Sequence, residues 1–179
     1  MLTLPVSSKG KQDQLICDVA LQVEHYSPKK FLGTISQSYT KAPYYSDYFP
    51  GIAKVFELHT GKLADLNIAL IEYFCSVLGI KTPTLRSSNL GIEGVKADLL
   101  SDICSHLKAD KYLSAPGSKE YLDESTAFAE KNIQVSYHQY THPTYHQLWG
   151  DFLPYMAILD LLFNEGPNSL SLIKQGYTA

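Results

Sequence analysis

The sequence predicts an α/β fold with a mostly parallel sheet and helices packed on its faces. Three observations predict it. Short apolar runs alternate with amphipathic helical runs through the second half of the chain. The stretch from Leu63 to Leu78 carries a wide apolar face at helical spacing, through Leu63, Leu66, Ile68, Ala69, Ile71, Phe74 and Leu78. A length of 179 residues, with 45% hydrophobic and 18% charged residues, suits one globular domain spanning 1–179 with a sizeable core.

LTLPV at 2–6 reads as a short strand, SSKGKQDQ as a polar turn, and LICDVAL at 15–21 as a second strand. Ser27-Pro28 opens a helix, because serine suits the N-cap and proline the first turn. Phe31, Leu32 and Ile35 give that helix its apolar face to about Lys41, and Pro43 ends it. A further helix is expected after Pro50, with Ile52, Val55 and Phe56 inward. The helix from Leu63 closes on Gly79 as its C-cap glycine. KTPTLRSS then reads as a strand, NLGIEGVK as a glycine-rich turn, and ADLLSDICSHLKA as an amphipathic helix. DKYLSAP is a short strand and turn, SKEYLDES starts a helix, NIQVSYHQY is a strand, and FLPYMAILDLLFNEG is an apolar helix closed by Gly166 and Pro167.

Composition excludes several function classes. A net charge of −3 and a pI near 6.0 give no general pull towards nucleic acid or acidic membranes. No apolar run approaches the roughly 18 residues of a membrane span. MLTLPVSSKGK lacks the apolar core of a signal peptide. Cys17, Cys75 and Cys104 are far apart with no CxxC pattern, and the latter two sit among apolar residues. They read as small buried hydrophobes in a reducing cytoplasm. Thirteen tyrosines against one tryptophan are many. Their rings can pack while their hydroxyls reach polar partners, which suits the wall of a polar-ligand cleft as well as the border between core and surface.

Two turns occupy the place where α/β folds keep ligands, after a strand and before a helix. In RSSNLGIEGVK, Ser87 and Ser88 offer hydroxyls, Gly91 and Gly94 let the backbone approach a ligand, and Lys96 lies at the helix start. Backbone N–H groups there favour an anion such as phosphate or carboxylate. The pattern is neither a Walker loop nor the dinucleotide GxGxxG. In YLSAPGSKEYLDE, Ser114 follows a strand, Gly117 permits a tight turn, and Lys119 opens a helix. Ordinary capped turns would look the same, so spacing alone leaves both readings open. His138, His142 and His146 recur at four-residue steps. Pro143 opposes a continuous helix through them, and in an extended chain such steps separate the rings by roughly 13 Å, too far to share an ion. No metal and no cofactor is expected.

RSSNLGIEGVKADLLSDICSHLKADKYLSAPGSKEYLDE, then YTHPTYHQ and FLPYMAILDLLFNEGP, resemble the WbqC-like protein family of bacteria. LTLPV, KAPYYSDYFP and LADLNIALIEYFCSVLGIKTP extend the resemblance through nearly the whole chain, in the family's order. The family motifs fall on Ser87, Ser88, Gly94 and Lys96, on Tyr112, Leu113, Ser114, Gly117, Lys119 and Tyr121, on His142, Pro143, Tyr145 and Gln147, and on Asp160, Asn164 and Gly166. Ala115 stands where the family usually has glycine, and the family's HQPxYLPW-type opening segment has no counterpart here. The chain therefore looks like an N-terminally truncated member, which would expose a sheet edge and favour homo-oligomers.

The resemblance implies a role in bacterial surface-polysaccharide (O-antigen) biosynthesis, with transfer of an amino-acid or acyl group to a sugar. On that reading Ser87, Ser88, Lys96, Ser114 and Lys119 bind the substrate's anionic group. His142 is the general base, since imidazole titrates near neutrality, and Tyr145 and Gln147 orient the substrate. The partner is a small molecule, a nucleotide sugar or an activated amino acid, met in the cytoplasm. The alternative is a non-catalytic binding or assembly protein that keeps the cleft without the chemistry.

Overall fold

A computed structural model of the chain describes residues 3–7, 10–22, 24–25 and 27–178. In chain order its helices are α1 (Pro28–Tyr39), α2 (Tyr45–Leu58), α3 (Leu63–Val77), α4 (Lys96–His106), α5 (Lys119–Asp123), α6 (Ala127–Glu130), α7 (Ile158–Glu165) and α8 (Ser169–Gln175). Its strands are β1 (Lys111–Ser114), β2 (Gln134–Tyr137), β3 (Gln139–Tyr140) and β4 (Tyr177–Thr178). The fold is α/β, with parallel pairing in β1–β2 and antiparallel pairing in β3–β4, each a sheet of two strands. The chain forms two compact units, one of residues 1–82 and 142–175, the other of residues 83–141 and 176–179.

The first unit is helical. Ser27 Oγ accepts from Lys30 N at 3.4 Å and Pro28 fills the first turn, so α1 starts where the cap chemistry predicts. Leu32 and Ile35 are its buried face. Helix α3 ends in a Schellman turn: Ile80 N donates to Cys75 O at 2.8 Å and Gly79 N to Ser76 O at 3.1 Å, with Gly79 at φ +71°. Helix α2 starts at Tyr45, ahead of the start expected after Pro50, and carries Pro50 inside it. Proline there removes one backbone donor from the helix. Tyr73 of α3 braces this stretch, donating its hydroxyl to Tyr48 O at 2.8 Å. Its ring lies so close to Gly51 that any Cβ at that position would collide with it. Ile52, Phe56, Leu66 and Phe163 are fully or almost fully buried together with Leu21, Leu32 and Ile35. Truncating such a side chain to alanine costs about 2–5 kcal/mol.

Two expected strands of this unit are single bridges. Ile16–Asp18 is a 3-10 turn, and among the described residues of these segments the β pairs are Val6 with Leu21 and Ala20 with Lys62. Leu21 N donates to Gly61 O and Leu63 N to Val19 O, so the segment is tied to the start of α3 instead of building a ladder. Leu2, Ser8 and Lys9, within the expected strand and turn, lie outside the described residues. The apolar helix expected from Phe152 begins only at Ile158, because Pro154 and Tyr155, at φ +60°, interrupt it. Gly166 ends α7 at φ +51°, under the ring of Tyr44, whose backbone N–H donates to Phe163 O at 3.0 Å. Helix α8 follows Pro167, beyond the last helix that the sequence predicts.

The second unit holds the β–α pattern. β1 and β2 pair in register from Lys111 with Gln134 to Ser114 with Tyr137. Helix α6 packs on β2, and α4 packs on α5 and α6. Ala97, Cys104, Leu122, Ala127, Phe128 and Ile133 form the core, with Tyr112 stacked on Phe128 at 5.0 Å. Lys131 Nζ donates to the buried Ser101 Oγ at 2.6 Å and pairs with Asp102 at 2.9 Å, tying α6's end to α4. KTPTLRSS does not pair into a sheet: residues 81–86 carry no strand and are exposed, and Pro83 lacks a donor for any ladder.

Candidate functional site

The segment after β3, residues 142–157, holds a polar cluster in the first unit. Asp160, the third residue of α7, interrupts the apolar run AILDLLF and is only 5% exposed. Its Oδ1 accepts from Tyr39 Oη at 2.9 Å, and its Oδ2 from Tyr145 Oη at 2.8 Å and Gln147 Nε2 at 2.9 Å. Its backbone carbonyl accepts from Asn164 Nδ2 at 2.8 Å. Among the described residues no cation pairs with it. Three neutral donors and the N-terminal end of α7 balance the carboxylate instead. Burial of the Tyr39 phenol, followed by its bond to Asp160, pushes its ionisation far above the ordinary tyrosine value.

Gln147 uses its amide in two directions. Nε2 donates to Leu153 O at 3.0 Å as well as to Asp160, and Oε1 accepts from Leu153 N at 2.8 Å. The side chain thus clips residue 153 as a neighbouring strand would, and closes the loop 147–153. Trp149, in that loop, donates Nε1–H to Ser38 O at 3.2 Å and lies under Lys41 Nζ at 5.7 Å.

His142 packs among the rings of this loop. Its centroid is 5.7 Å from Phe152, 5.1 Å from Tyr155 in an edge-on arrangement, and 6.0 Å from Tyr145. Nδ1 lies 2.8 Å from the carbonyl oxygen of Pro143. A carbonyl accepts only, so this bond needs the proton on Nδ1. Tyr155 remains 74% exposed.

The other expected residues lie in the second unit. Ser87 and Ser88 sit in an exposed 3-10 turn, Ser87–Asn89. Lys96 starts α4 at φ +50°, a conformation that L side chains seldom adopt. No side chain caps that helix, and Asp98 already places negative charge in its first turn. Ser118 Oγ donates to Ala115 O at 2.7 Å, so the 2.5 Å contact between the hydroxyls of Ser114 and Ser118 has Ser114 as donor. Lys119 pairs with Asp123 and lies 4.9 Å over the ring of Tyr137. Tyr137 donates to Asp123 Oδ1 at 2.8 Å. Desolvation of its phenol and this bond push the Tyr137 ionisation up to about 12. Lys119 and then Tyr137 hold the Asp123 carboxyl below its usual range.

Of the expected residues, the structure thus gathers His142, Tyr145 and Gln147 in one unit, and sets Ser114 and Lys119 around the end of β1 in the other. The family motifs include Asp160 without a role for it, and Tyr39, Phe152 and Tyr155 fall outside them. The available signal was a lone aspartate inside an apolar helical run. His138 and His142 belong to different units, and among the described residues no cluster of histidine, cysteine or carboxylate side chains is placed to hold a metal ion. Among those residues no helix is long and apolar enough to cross a membrane.

A family model, that of the WbqC-like protein family, matches residues 1–172. A protein of Mycobacterium tuberculosis (strain ATCC 25618 / H37Rv), "Uncharacterized protein Rv1507c", is 32% identical over 180 residues, covering 97% of this chain and 77% of that protein. No solved structure matches. With residues 1–172 matched by its family model, this chain belongs to the WbqC-like protein family.

Proposed function

We propose that this protein is a transferase of bacterial cell-surface polysaccharide (O-antigen) biosynthesis that passes an amino-acid or acyl group to a sugar, with His142 as general base. The observation that carries the reading is the bond from His142 Nδ1 to Pro143 O, which favours the tautomer with its basic lone pair on Nε2. In the proposed reaction Nε2 takes the proton of a sugar hydroxyl as its oxygen attacks the donor's carbonyl carbon. The bond to the leaving group breaks with its electron pair, and the imidazolium returns the proton to that group. Tyr145, hydrogen-bonded to Asp160, orients the acceptor.

In the second unit Ser87, Ser88, Lys96, Ser114 and Lys119 are proposed to bind an anionic group such as a nucleotide phosphate. Lys119 would have to exchange Asp123 for the ligand, which costs little at an exposed pair. A cytoplasmic setting, where nucleotide-activated donors are made, completes the reading.

The test is a panel of nucleotide sugars and activated amino-acid or acyl donors, with mass spectrometry of the sugar product. The wild-type protein is expected to add the donor's mass to one sugar. His142→Ala is expected to lose about two to four orders of magnitude in rate while keeping its circular dichroism. No product from any pair, or full activity in His142→Ala, would overturn the assignment.

A further inference from the structure

Tyr155 is the most exposed aromatic of the His142 cluster, and its backbone is the least relaxed. A bulky residue at φ +60° is costly, and such a conformation persists only where surrounding contacts over-determine it. Apolar burial is a poor source of that constraint, since Tyr155 is largely in water and its neighbours Leu153 and Met156 are exposed too. The polar contacts of the loop offer a better one. Gln147 grips Leu153 through both its amide nitrogen and its amide oxygen, two residues before Tyr155. The same Gln147 nitrogen donates to Asp160 Oδ2. A primary amide has two N–H donors, and here they are directed at Leu153 O and Asp160. Gln147 is therefore turned inwards.

Asp160 collects the other end of this arrangement. Its Oδ2 takes Tyr145 along with Gln147, and Tyr145 meets both His142 and Phe152, the latter edge-on at 5.2 Å. Oδ1 is anchored by Tyr39 of α1. The carboxylate thus ties together α1, α7 and both sides of the loop whose rings enclose the imidazole.

We propose that Asp160 and Gln147 are positioning residues, which act through the 147–156 loop to hold the His142 ring in the orientation that bonds Nδ1 to Pro143 O. Without that hold the loop relaxes at Tyr155, Phe152 and Tyr155 leave the ring, and His142 turns. A neutral imidazole in water favours the opposite tautomer, with the proton on Nε2, so the hold selects which nitrogen is basic. The inference rests on the reading of His142 as the base for its catalytic meaning, but its physical content does not depend on any reaction.

The experiment is nitrogen-15 NMR of the histidine side chains in the intact protein at alkaline pH, with His142→Ala used to assign the signal. In the wild type, His142 is expected in the Nδ1–H form, with contacts between its ring protons and those of Tyr155 and Phe152. Gln147→Leu, similar in size and unable to make either bond, is expected to shift most of the population to the Nε2–H form and erase the ring contacts. Asp160→Asn, which turns an amide donor towards donors, is expected to do the same if it folds. If it does not, Gln147→Leu alone decides. A folded Gln147→Leu with an unchanged tautomer and intact ring contacts would overturn the proposal. A changed tautomer beside a His142→Ala variant that retains full transfer activity would leave the coupling standing and remove the base assignment.

Discussion

In one unit Tyr39 and Tyr145 donate to Asp160. In the other Tyr137 donates to Asp123, with Lys119 alongside. The residue types are the same, but the surroundings are not. Asp160 is buried and pairs with no cation among the described residues, so its hydrogen bonds are its main compensation, and each donor removed leaves polar atoms stranded away from water. Asp123 is half exposed and has a lysine, so water and counterions can replace any partner it loses. A full charge pair in water is therefore the weaker device, and three neutral donors around a buried carboxylate the stronger one. Desolvation decides the ranking.

The comparison can be broken most directly at Asp160. Asp160→Ala strands Tyr39, Tyr145 and Gln147 together, and a loss of about 3 kcal/mol or more is expected in urea unfolding. A loss below about 1 kcal/mol would mean that water reaches the cluster after all. Gly166→Ala tests packing in the same unit without touching the carboxylate. It combines a disfavoured φ with a collision against the Tyr44 ring, and about 2 kcal/mol of destabilisation is expected.

Tyr39→Phe removes one donor and should cost about 1 kcal/mol near neutral pH, with a clear sign in its pH dependence. Tyr39's ionisation is raised in the folded state, so its contribution is intact below the ordinary value of 10.0 and fades as pH climbs above that value. Stability of the wild type should fall above pH 10.0, and the Phe variant should fall less steeply. Equal slopes would show that the buried phenol does not govern alkaline unfolding. The smallest effect belongs to Lys119→Ala, for which the thermal midpoint at neutral pH should not move measurably. Asp123's carboxyl is held low, so what the exposed cluster contributes is present above the ordinary carboxyl range and disappears as pH falls through it.

Much of the fold was legible where local chemistry decides it. Ser27-Pro28 marked the start of α1, the apolar face from Leu63 marked α3, and Gly79 closed it. β1 and β2 were legible from alternation bounded by turns. KTPTLRSS and LICDVAL have strand-like composition, but a strand exists only with a partner, and composition does not supply one. Pro50 misplaced the start of α2, because the brace that helps tolerate it, Tyr73, comes from another helix. The candidate site divides in the same way. Motif resemblance pointed to His142, Tyr145 and Gln147, whereas the Asp160 junction that Tyr145 and Gln147 share with Tyr39 spans 121 residues of sequence. No window of sequence displays a contact of that length.

The tyrosine rings seated on glycines have an evolutionary consequence. Tyr73 rests on Gly51, Tyr44 on Gly166 and Tyr140 on Gly176, and in each case the ring occupies the volume a Cβ would need. A Cβ at Gly176 would also meet the backbone oxygen of Thr141 at 2.5 Å, and Gly166 sits at φ +51°, so the ring alone is the obstacle at Gly51, where a larger residue becomes tolerable only after Tyr73 has shrunk. The order of substitutions then matters, and Gly51→Ala should be far milder in a Tyr73→Ala background than alone. At Gly51 the acceptability of a side chain is therefore set by a tyrosine 22 positions away, on another helix.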